Sequence, residues 1–495
     1  MSSSYILKAA DIYKAYAGRM IFKIGLLQVG LGEKIGVVGS NGAGKSTLLA
    51  AIMGDVPLDG GHIDVRGGMT IIRQAQDEDA LRTAQNRVSE RRGHRNFTAP
   101  SLTERPSGGE LTRAAIAEAL SAEPDILLAD EPTTNLDMDG VSELKDMLVS
   151  FGGALLLVSH DRELLDAVCG KIWEIEDGEL RVFPGNYSAW LLQKERERGF
   201  ELSEYEKSRK EERRLREAAR KAKERSPRVL RSPSRMSGSE ARINPGKGLA
   251  AQSAVNAGAR AIAKRADMVE RKSRPPDLPE IKMALGASRP VVSGAAIRAS
   301  GLSAMFGENL ILGGASFEVT SGKRTVLLGP NGSGKTTLLR MIRRGDPSVK
   351  IAPSARVGFF AQGYEDLDLS RTVLENARRR SVMQEHEARI ILACLGIKGD
   401  AVNKKCESLS GGERAKAAFA SLFASELNTL LLDEPTNHID LYTASALEEL
   451  LMAWKGTLLL VTHDLRLARK AGDRLLIIEN KRVKTFEGTL DEYQA

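Results

Sequence analysis

Two copies of one phosphate-binding loop decide most of what this chain can fold into. Gly39-Ser40-Asn41-Gly42-Ala43-Gly44-Lys45-Ser46-Thr47 and Gly329-Pro330-Asn331-Gly332-Ser333-Gly334-Lys335-Thr336-Thr337 both satisfy G-x-x-x-x-G-K-[ST]. Each follows a strand-like apolar run, Lys34-Ile35-Gly36-Val37-Val38 or Arg324-Thr325-Val326-Leu327-Leu328, and the first runs on into a helix start at Thr47-Leu48-Leu49. The glycines let backbone N–H groups turn inward around the phosphates of a nucleotide. Lys45 and Lys335 supply a point charge, Ser46 and Thr336 a hydroxyl for Mg²⁺, and the helix N-terminus a favourable dipole. Phosphate binding is therefore expected twice, in two copies of one α/β domain.

Other motifs repeat with the loops. Tyr16 and Phe306 each precede their loop by 23 residues, where an aromatic can stack on an adenine ring; a surface tyrosine is the plain alternative for Tyr16. Gln74 follows the apolar Met69-Thr70-Ile71-Ile72 as Gln362 follows Val357-Gly358-Phe359-Phe360, and either side chain can reach Mg²⁺ or an attacking water. Gln76 competes with Gln74 for that place. Ser107-Gly108-Gly109-Glu110 and Ser410-Gly411-Gly412-Glu413 each open a helix, making a second anion-binding surface. One such motif could be an ordinary cap; two, each at a fixed distance before an acidic strand end, are not.

Those strand ends are Ile126-Leu127-Leu128-Ala129-Asp130-Glu131 and Leu430-Leu431-Leu432-Asp433-Glu434. Four apolar residues describe a strand buried on both faces of a parallel sheet, and carboxylates at its end overhang the crevice where open α/β sheets bind ligands. Asp130 and Asp433 suit an outer-shell Mg²⁺ role, while Glu131 and Glu434 suit polarising a water. Each half then has a buried strand ending in histidine, His160 or His463, placed to meet a γ-phosphate.

A chain of 495 residues exceeds one core. No apolar run approaches the roughly 20 residues that span a bilayer, and the N-terminus lacks the pattern of a secretory signal. Three scattered cysteines (Cys169, Cys394, Cys406) fit neither a disulfide framework nor a metal cluster, which points to a reducing cytoplasm. Charge is unevenly placed. Residues 192–274 hold 24 Lys and Arg against 12 Asp and Glu, an excess of +12 in a chain of net charge +7, so the remainder carries −5.

That basic segment, about residues 191–290, has no twin in the chain. Charge is dense from Glu201 to Arg225, with apolar Leu215, Ala218, Ala219 and Ala222. Ser226-Pro227 and Ser232-Pro233 break the helix, and a second one fits after Asn244-Pro245-Gly246, with Val255, Ile262 and Val269 spaced by sevens around Ala259 and Ala266. A helical hairpin with its tip at about 226–245 is expected; a disordered charged linker is the alternative. Lysines and arginines on two helices with few aromatics suit phosphate contacts to folded RNA, with an anionic membrane surface as rival.

The ordered set of aromatic, phosphate loop, glutamine, Ser-Gly-Gly-Glu, Asp-Glu and histidine resembles the ATP-binding cassette ATPases over about four-fifths of the chain. The resemblance implies two cassettes closed face to face on ATP and Mg²⁺ within one monomer, with Lys45 facing Ser410 and Lys335 facing Ser107. Signature serines, glutamates and histidines all lie 303 residues apart, the loops 290. The difference falls mostly between glutamine and signature, 33 residues in the first half and 48 in the second, short for a subdomain that grips a membrane partner.

With its basic hairpin, the chain is similar to the ABC-F branch, and the run Arg231–Arg242 resembles the linkers of the Vga, Lsa and Sal type of antibiotic-resistance members. This implies cassettes at 1–190 and 291–495 and a linker at 191–290. It also implies a ribosome-protection factor reaching the exit-tRNA site, with ribosomal RNA and peptidyl-site tRNA as partners and Val229, Leu230, Arg231 and Met236 at the drug-site tip. Pro106 stands where the family usually has leucine, and the arm of housekeeping translation-factor members is missing from the first half. A drug-independent translation factor and a transporter ATPase subunit are the rival functions.

Overall fold

A computed structural model describes the chain apart from residues 1–4, 17, 74–107, 135, 226–244, 269–290, 292–293, 308, 362–363, 365, 382, 438 and 495. It forms two compact units, Met1–Trp190 with Leu278–Ala495, and Leu191–Asp277.

The larger unit contains two α/β cassettes of the same plan. The first is built from β1 (Tyr5–Tyr16), β2 (Arg19–Gly30), β3 (Lys34–Gly39), β4 (Gly60–Val65), β5 (Met69–Ile72), β6 (Ile126–Asp130), β7 (Ala154–Val158), β8 (Lys171–Glu176) and β9 (Glu179–Pro184). Strands β2-β1-β4 pair antiparallel, and a second sheet runs β5-β6-β7-β3-β8-β9. Its first five strands are parallel and β9 is antiparallel. Every residue of β7 is buried, as expected for a strand covered on both faces. The strand order places the ends of β3, β6 and β7 side by side, so the phosphate loop, Asp130-Glu131 and His160 leave the sheet together.

The second cassette repeats this with β10 (Ala295–Phe306), β11 (Asn309–Thr320), β12 (Arg324–Leu328), β13 (Val349–Ile351), β14 (Val357–Phe360), β15 (Thr429–Asp433), β16 (Thr457–Val461), β17 (Arg474–Glu479) and β18 (Arg482–Phe486). The sheet order β14-β15-β16-β12-β17-β18 is the same pattern, with β18 antiparallel. Between β14 and the helix Gly411–Ala424 it carries the helices Val373–Arg378 and Glu385–Cys394. Phe360 of β14 stacks on Phe419 with centroids 4.1 Å apart, fixing the helix Gly411–Ala424 to the sheet. The shorter matching stretch of the first half, with Gln74, Gln76, Pro106 and Ser107, lies outside the described residues.

The smaller unit is helical. The helix Tyr187–Arg225 starts earlier than the charge pattern suggested, because Tyr187 and Trp190 are buried in the larger unit and prolong it. Its return partner, Pro245–Met268, starts where the sequence placed it. Ala259 and Ala266 are buried, Val255 and Ile262 half-buried, and on the first helix Leu215, Ala219 and Ala222 are half-buried while Ala218 is exposed. Arg216 reaches Asp267 of the second helix at 3.8 Å. The withdrawn positions on each helix are therefore mostly small and apolar, and the Arg216–Asp267 approach joins the two helices. Val269 and the tip residues Val229, Leu230, Arg231 and Met236 lie outside the described residues.

All three cysteines are buried, and burial pushes Cys169 up to about 12 and Cys394 to about 11. Among the described residues no helix is long and apolar enough to cross a membrane.

Candidate functional site

Each phosphate loop is an arch that only glycine can close. Gly39 has φ +154°, and a Cβ there would lie 2.5 Å from the Ile175 carbonyl oxygen. Gly44, at φ +100°, caps the helix Lys45–Met53 in the left-handed region, and a Cβ on it would meet Ile21 at 2.6 Å. The twins Gly329 and Gly334 repeat both angles within a few degrees. Under each arch the lysine folds back onto loop carbonyls. Lys45 Nζ donates to Gly39 O at 2.9 Å and Ser40 O at 3.1 Å; Lys335 Nζ donates to Gly329 O at 2.7 Å and Pro330 O at 3.1 Å. Burial lowers both ammonium pKa values against the opposing pull of nearby carboxylates. An incoming polyphosphate thus meets charges already desolvated, where they interact most strongly.

The acidic strand ends hold two kinds of carboxylate. Asp130 accepts from the Ser46 hydroxyl, and Asp433 Oδ1 accepts from Thr336 Oγ1 at 3.2 Å. Glu131 and Glu434 come next, both in the left-handed region at φ 49° and 48°, a conformation that costs a non-glycine residue about 1–2 kcal/mol. It turns the side chain from the strand towards the histidine loop. Glu131 Oε2 accepts from the His160 backbone N–H at 3.2 Å, and Oε1 is 3.3 Å from His160 Nε2; the second cassette repeats these at 3.2 and 3.1 Å with His463. Burial raises Glu131 to about 8 and Glu434 to about 7, while it lowers His463 to about 4. At neutral pH His463 is an uncharged imidazole beside the Glu434 carboxyl.

These groups converge. A cavity of about 920 Å³ in the larger unit is lined by Asn41, Lys45, Ser46, Asp130, Glu131 and His160 of the first cassette. Its other walls include Asn331, Lys335, Thr336, Glu434 and His463, with Gly109 and Gly411-Gly412 from the two helix starts. Gly42, Gly44, Thr47, Gly332, Gly334 and Thr337 also face it, while Gly39, Ser40, Ala43, Gly329, Pro330 and Ser333 form the arches behind. Glu110 and Glu413 sit in the first turns of their helices, off the wall. Tyr16 is exposed at the end of β1 with Lys14 Nζ 5.2 Å from its ring centre, and it is not on the cavity wall. Phe306 ends β10, and its side chain, like Gln362, lies outside the described residues.

One expectation is corrected. The second Ser-Gly-Gly-Glu is a full capping box: the Glu413 N–H donates to Ser410 Oγ at 3.3 Å and the Ser410 N–H to Glu413 Oε2 at 2.9 Å. Repetition of the motif did not exclude a cap. The box satisfies the first-turn donors and leaves Ser410 exposed at a helix start that faces the cavity through Gly411 and Gly412.

The sequence also hid participants. Asp137 N-caps the helix Met138–Ser150, pairs with Arg113 at 2.8 Å and accepts from the Asn331 N–H of the other cassette's loop at 3.5 Å. Asp440 does the same for Leu441–Ala453 with Lys416 at 3.0 Å, and its charge acts on Lys45. Their separation equals that of the glutamates, a signal that would have found them. Ile21 and Ile311, spaced like the loops, also line the cavity.

Two family models, both described as ABC transporter, match residues 25–134 with 312–437 and residues 173–242. Ribosome protection protein VmlR of Bacillus subtilis is 31% identical over 94% of this chain and 85% of its own length. A probable ATP-binding cassette sub-family F member 3 homolog of Encephalitozoon cuniculi is 31% identical over 96% of this chain and 81% of its own. The chain belongs to the ABC-F branch of the ATP-binding cassette ATPases. Erythromycin resistance ATP-binding protein MsrA of Staphylococcus epidermidis is 32% identical to this ABC-F ATPase over 89% of the chain and 91% of its own length. A solved RNase-L inhibitor shares the fold, with TM-score 0.61 at 20% identity over 97% of this chain and 91% of that one. As an ABC-F member the chain binds and hydrolyses ATP.

Proposed function

We propose that this ABC-F ATPase binds the ribosome at the exit-tRNA site, beside peptidyl-site tRNA, and protects the peptidyl-transferase centre from antibiotics, hydrolysis driving its release. One observation carries the reading: a closed, strongly basic helical hairpin is inserted between two complete cassettes, in a chain whose relatives bear the names ribosome protection protein and erythromycin resistance protein. In this reading residues 1–190 and 291–495 are the cassettes of a cytoplasmic monomer, and residues 191–290 are the ribosome-facing linker. Its tip, with Val229, Leu230, Arg231 and Met236, reshapes the drug site.

ATP is gripped by one cassette's loop and the other's signature, Lys45 with Ser410 and Lys335 with Ser107, while Tyr16 and Phe306 stack on adenine. The charge of Asp440 on Lys45 and of Asp137 on Lys335 supports this crossing. Glu131 and Glu434 take a proton from the attacking water, and the histidines, His160 and the uncharged His463, hold the γ-phosphate side of the site. Two hard oxygens per site, a hydroxyl and an aspartate, suit an ion that keeps most of its ligands as phosphate and water. Ser46 with Asp130, and Thr336 with Asp433, would hold Mg²⁺ together with Gln74 and Gln362; the ion neutralises charge on the phosphates.

The test is expression in a drug-sensitive bacterium against a panel of antibiotics. Tolerance should rise for lincosamides, pleuromutilins and group A streptogramins and stay unchanged for small-subunit drugs. Unchanged sensitivity to every large-subunit drug, with faster translation in their absence, would replace this reading with a drug-independent translation factor.

A further inference from the structure

The two ATP sites share their chemistry but not their supports. Two residues beyond His160, Arg162 is almost fully buried and crosses to the other cassette. Its Nη1 donates to Glu448 Oε2 at 2.7 Å and its Nη2 to the Leu441 carbonyl at 3.2 Å. Lys470 also pairs with Glu448, and Arg466 lies 3.7 Å from it. Close by, Tyr442 Oη donates to the fully buried Glu174 at 2.6 Å and meets the Trp190 ring at 6.0 Å. Leu441 and Tyr442 open the helix that Asp440 caps, and the Asp440 charge acts on Lys45. The cluster therefore ties the His160 loop to the element that faces the Lys45 loop.

On the other side the 303-residue repeat carries different residues, and the contact there is the Asn331 N–H donated to Asp137 at 3.5 Å. Leu465 stands at the place of Arg162, Lys145 at that of Glu448, Asp139 at that of Tyr442 and Ile477 at that of Glu174. Leucine and lysine cannot form the ion pair. Leu465, like Met138 of the first cassette, packs instead against the apolar core of the second. A buried, multiply bonded pair is costly to break when one partner is lost, whereas an apolar contact slides apart with less penalty.

We infer that Arg162 and Glu448 are positioning residues that keep the site of Lys45, Glu131 and Ser410 assembled, so that the site of Lys335 and Glu434 opens first and exchanges nucleotide faster. This rests on the crossing of loops and signatures proposed above.

The test uses the full chain carrying Glu131→Gln and Glu434→Gln, loaded with labelled ATP and chased with unlabelled ATP. Release should be biphasic, Lys335→Ala abolishing the fast phase and Lys45→Ala the slow one. Arg162→Leu, which copies the opposite side, should accelerate the slow phase about tenfold or more, about 1.4 kcal/mol of lost closure, and leave the fast phase within about twofold. Arg162→Lys should restore part of the difference, and the milder Glu448→Gln should shift the same phase if Arg162→Leu does not fold. A single release phase, or a slow phase that survives Arg162→Leu and Glu448→Gln in folded protein, overturns the inference. If neither lysine substitution removes one phase selectively, the site assignment fails, and the inference with it.

Discussion

The cassettes and the hairpin hold charge in opposite ways. In the cassettes Lys45, Lys335, Glu131 and Glu434 are withdrawn from water, and their acid–base behaviour is displaced by burial. In the hairpin the basic groups stay wet and pair along their own helix, Arg214 with Glu211, Arg216 with Glu212 and Lys207 with Glu204. Exposed pairs of this kind contribute little to stability, so their guanidinium groups remain available to phosphate. Chemistry in the cassettes is set by the fold; what the hairpin does is set by the surface it meets.

The largest effect expected from that contrast is in the cassettes alone. Glu131→Gln with Glu434→Gln should cut ATP turnover by about 10²–10⁴-fold while ATP still binds and the closed protein cosediments with ribosomes. Near-normal phosphate release from the double variant would remove both glutamates from catalysis. Next, Phe419→Ala in the second cassette should destabilise the larger unit by about 3–5 kcal/mol in denaturant titration, because a fully buried stacked ring is deleted. Leu215→Ala in the hairpin, half-exposed, should barely move the same titration. Comparable losses would erase the distinction.

The hairpin is sharpened by salt. Neutralising Arg213, Arg214, Arg216 and Arg220 should weaken ribosome binding and reduce the slope of log K against log salt by up to about 3 to 4, with ribosome-free ATPase activity unchanged. An unaltered slope would assign the RNA contacts to the cassettes.

The smallest effect is a pH dependence. The folded pKa values of Glu131 and Glu434 lie above the ordinary glutamate value of 4.5, so the native state binds more protons than the unfolded one between about 4.5 and 8. That stabilisation is present at low pH and is lost as pH rises through the folded values. The double glutamine variant should therefore melt higher than the parent at pH 9 and close to it at pH 5. By the same signs, kcat/KM of the parent should climb between pH 6 and 8 as the two bases lose their protons. A flat profile would mean that substrate enters with the carboxylates already ionised.

Much of this was legible in the sequence because it is local or repeated. Leu155-Leu156-Leu157 reads as a doubly covered strand, and each acidic strand end recurs at one fixed offset. Asp137 and Asp440 were readable by the same offset and needed only a reason to look. Other features leave no such trace. Arg162 and Glu448 lie 286 residues apart in single copy, and nothing periodic marks a buried pair that distant. The capping role of Ser410 was masked by its own repetition, since a helix start and an anion-binding surface are built from the same residues.

The left-handed backbone at Glu131 and Glu434 has an evolutionary side. Both positions are more comfortable for glycine, which would relieve about 1 kcal/mol or more of backbone strain and free the interior of an awkward acid. A lineage selected for thermal survival alone, with ATP turnover unused, should drift first at these two codons. Persistence of glutamate at both after many generations would record continued demand for hydrolysis at both sites, and loss of only one would identify the site the cell can spare.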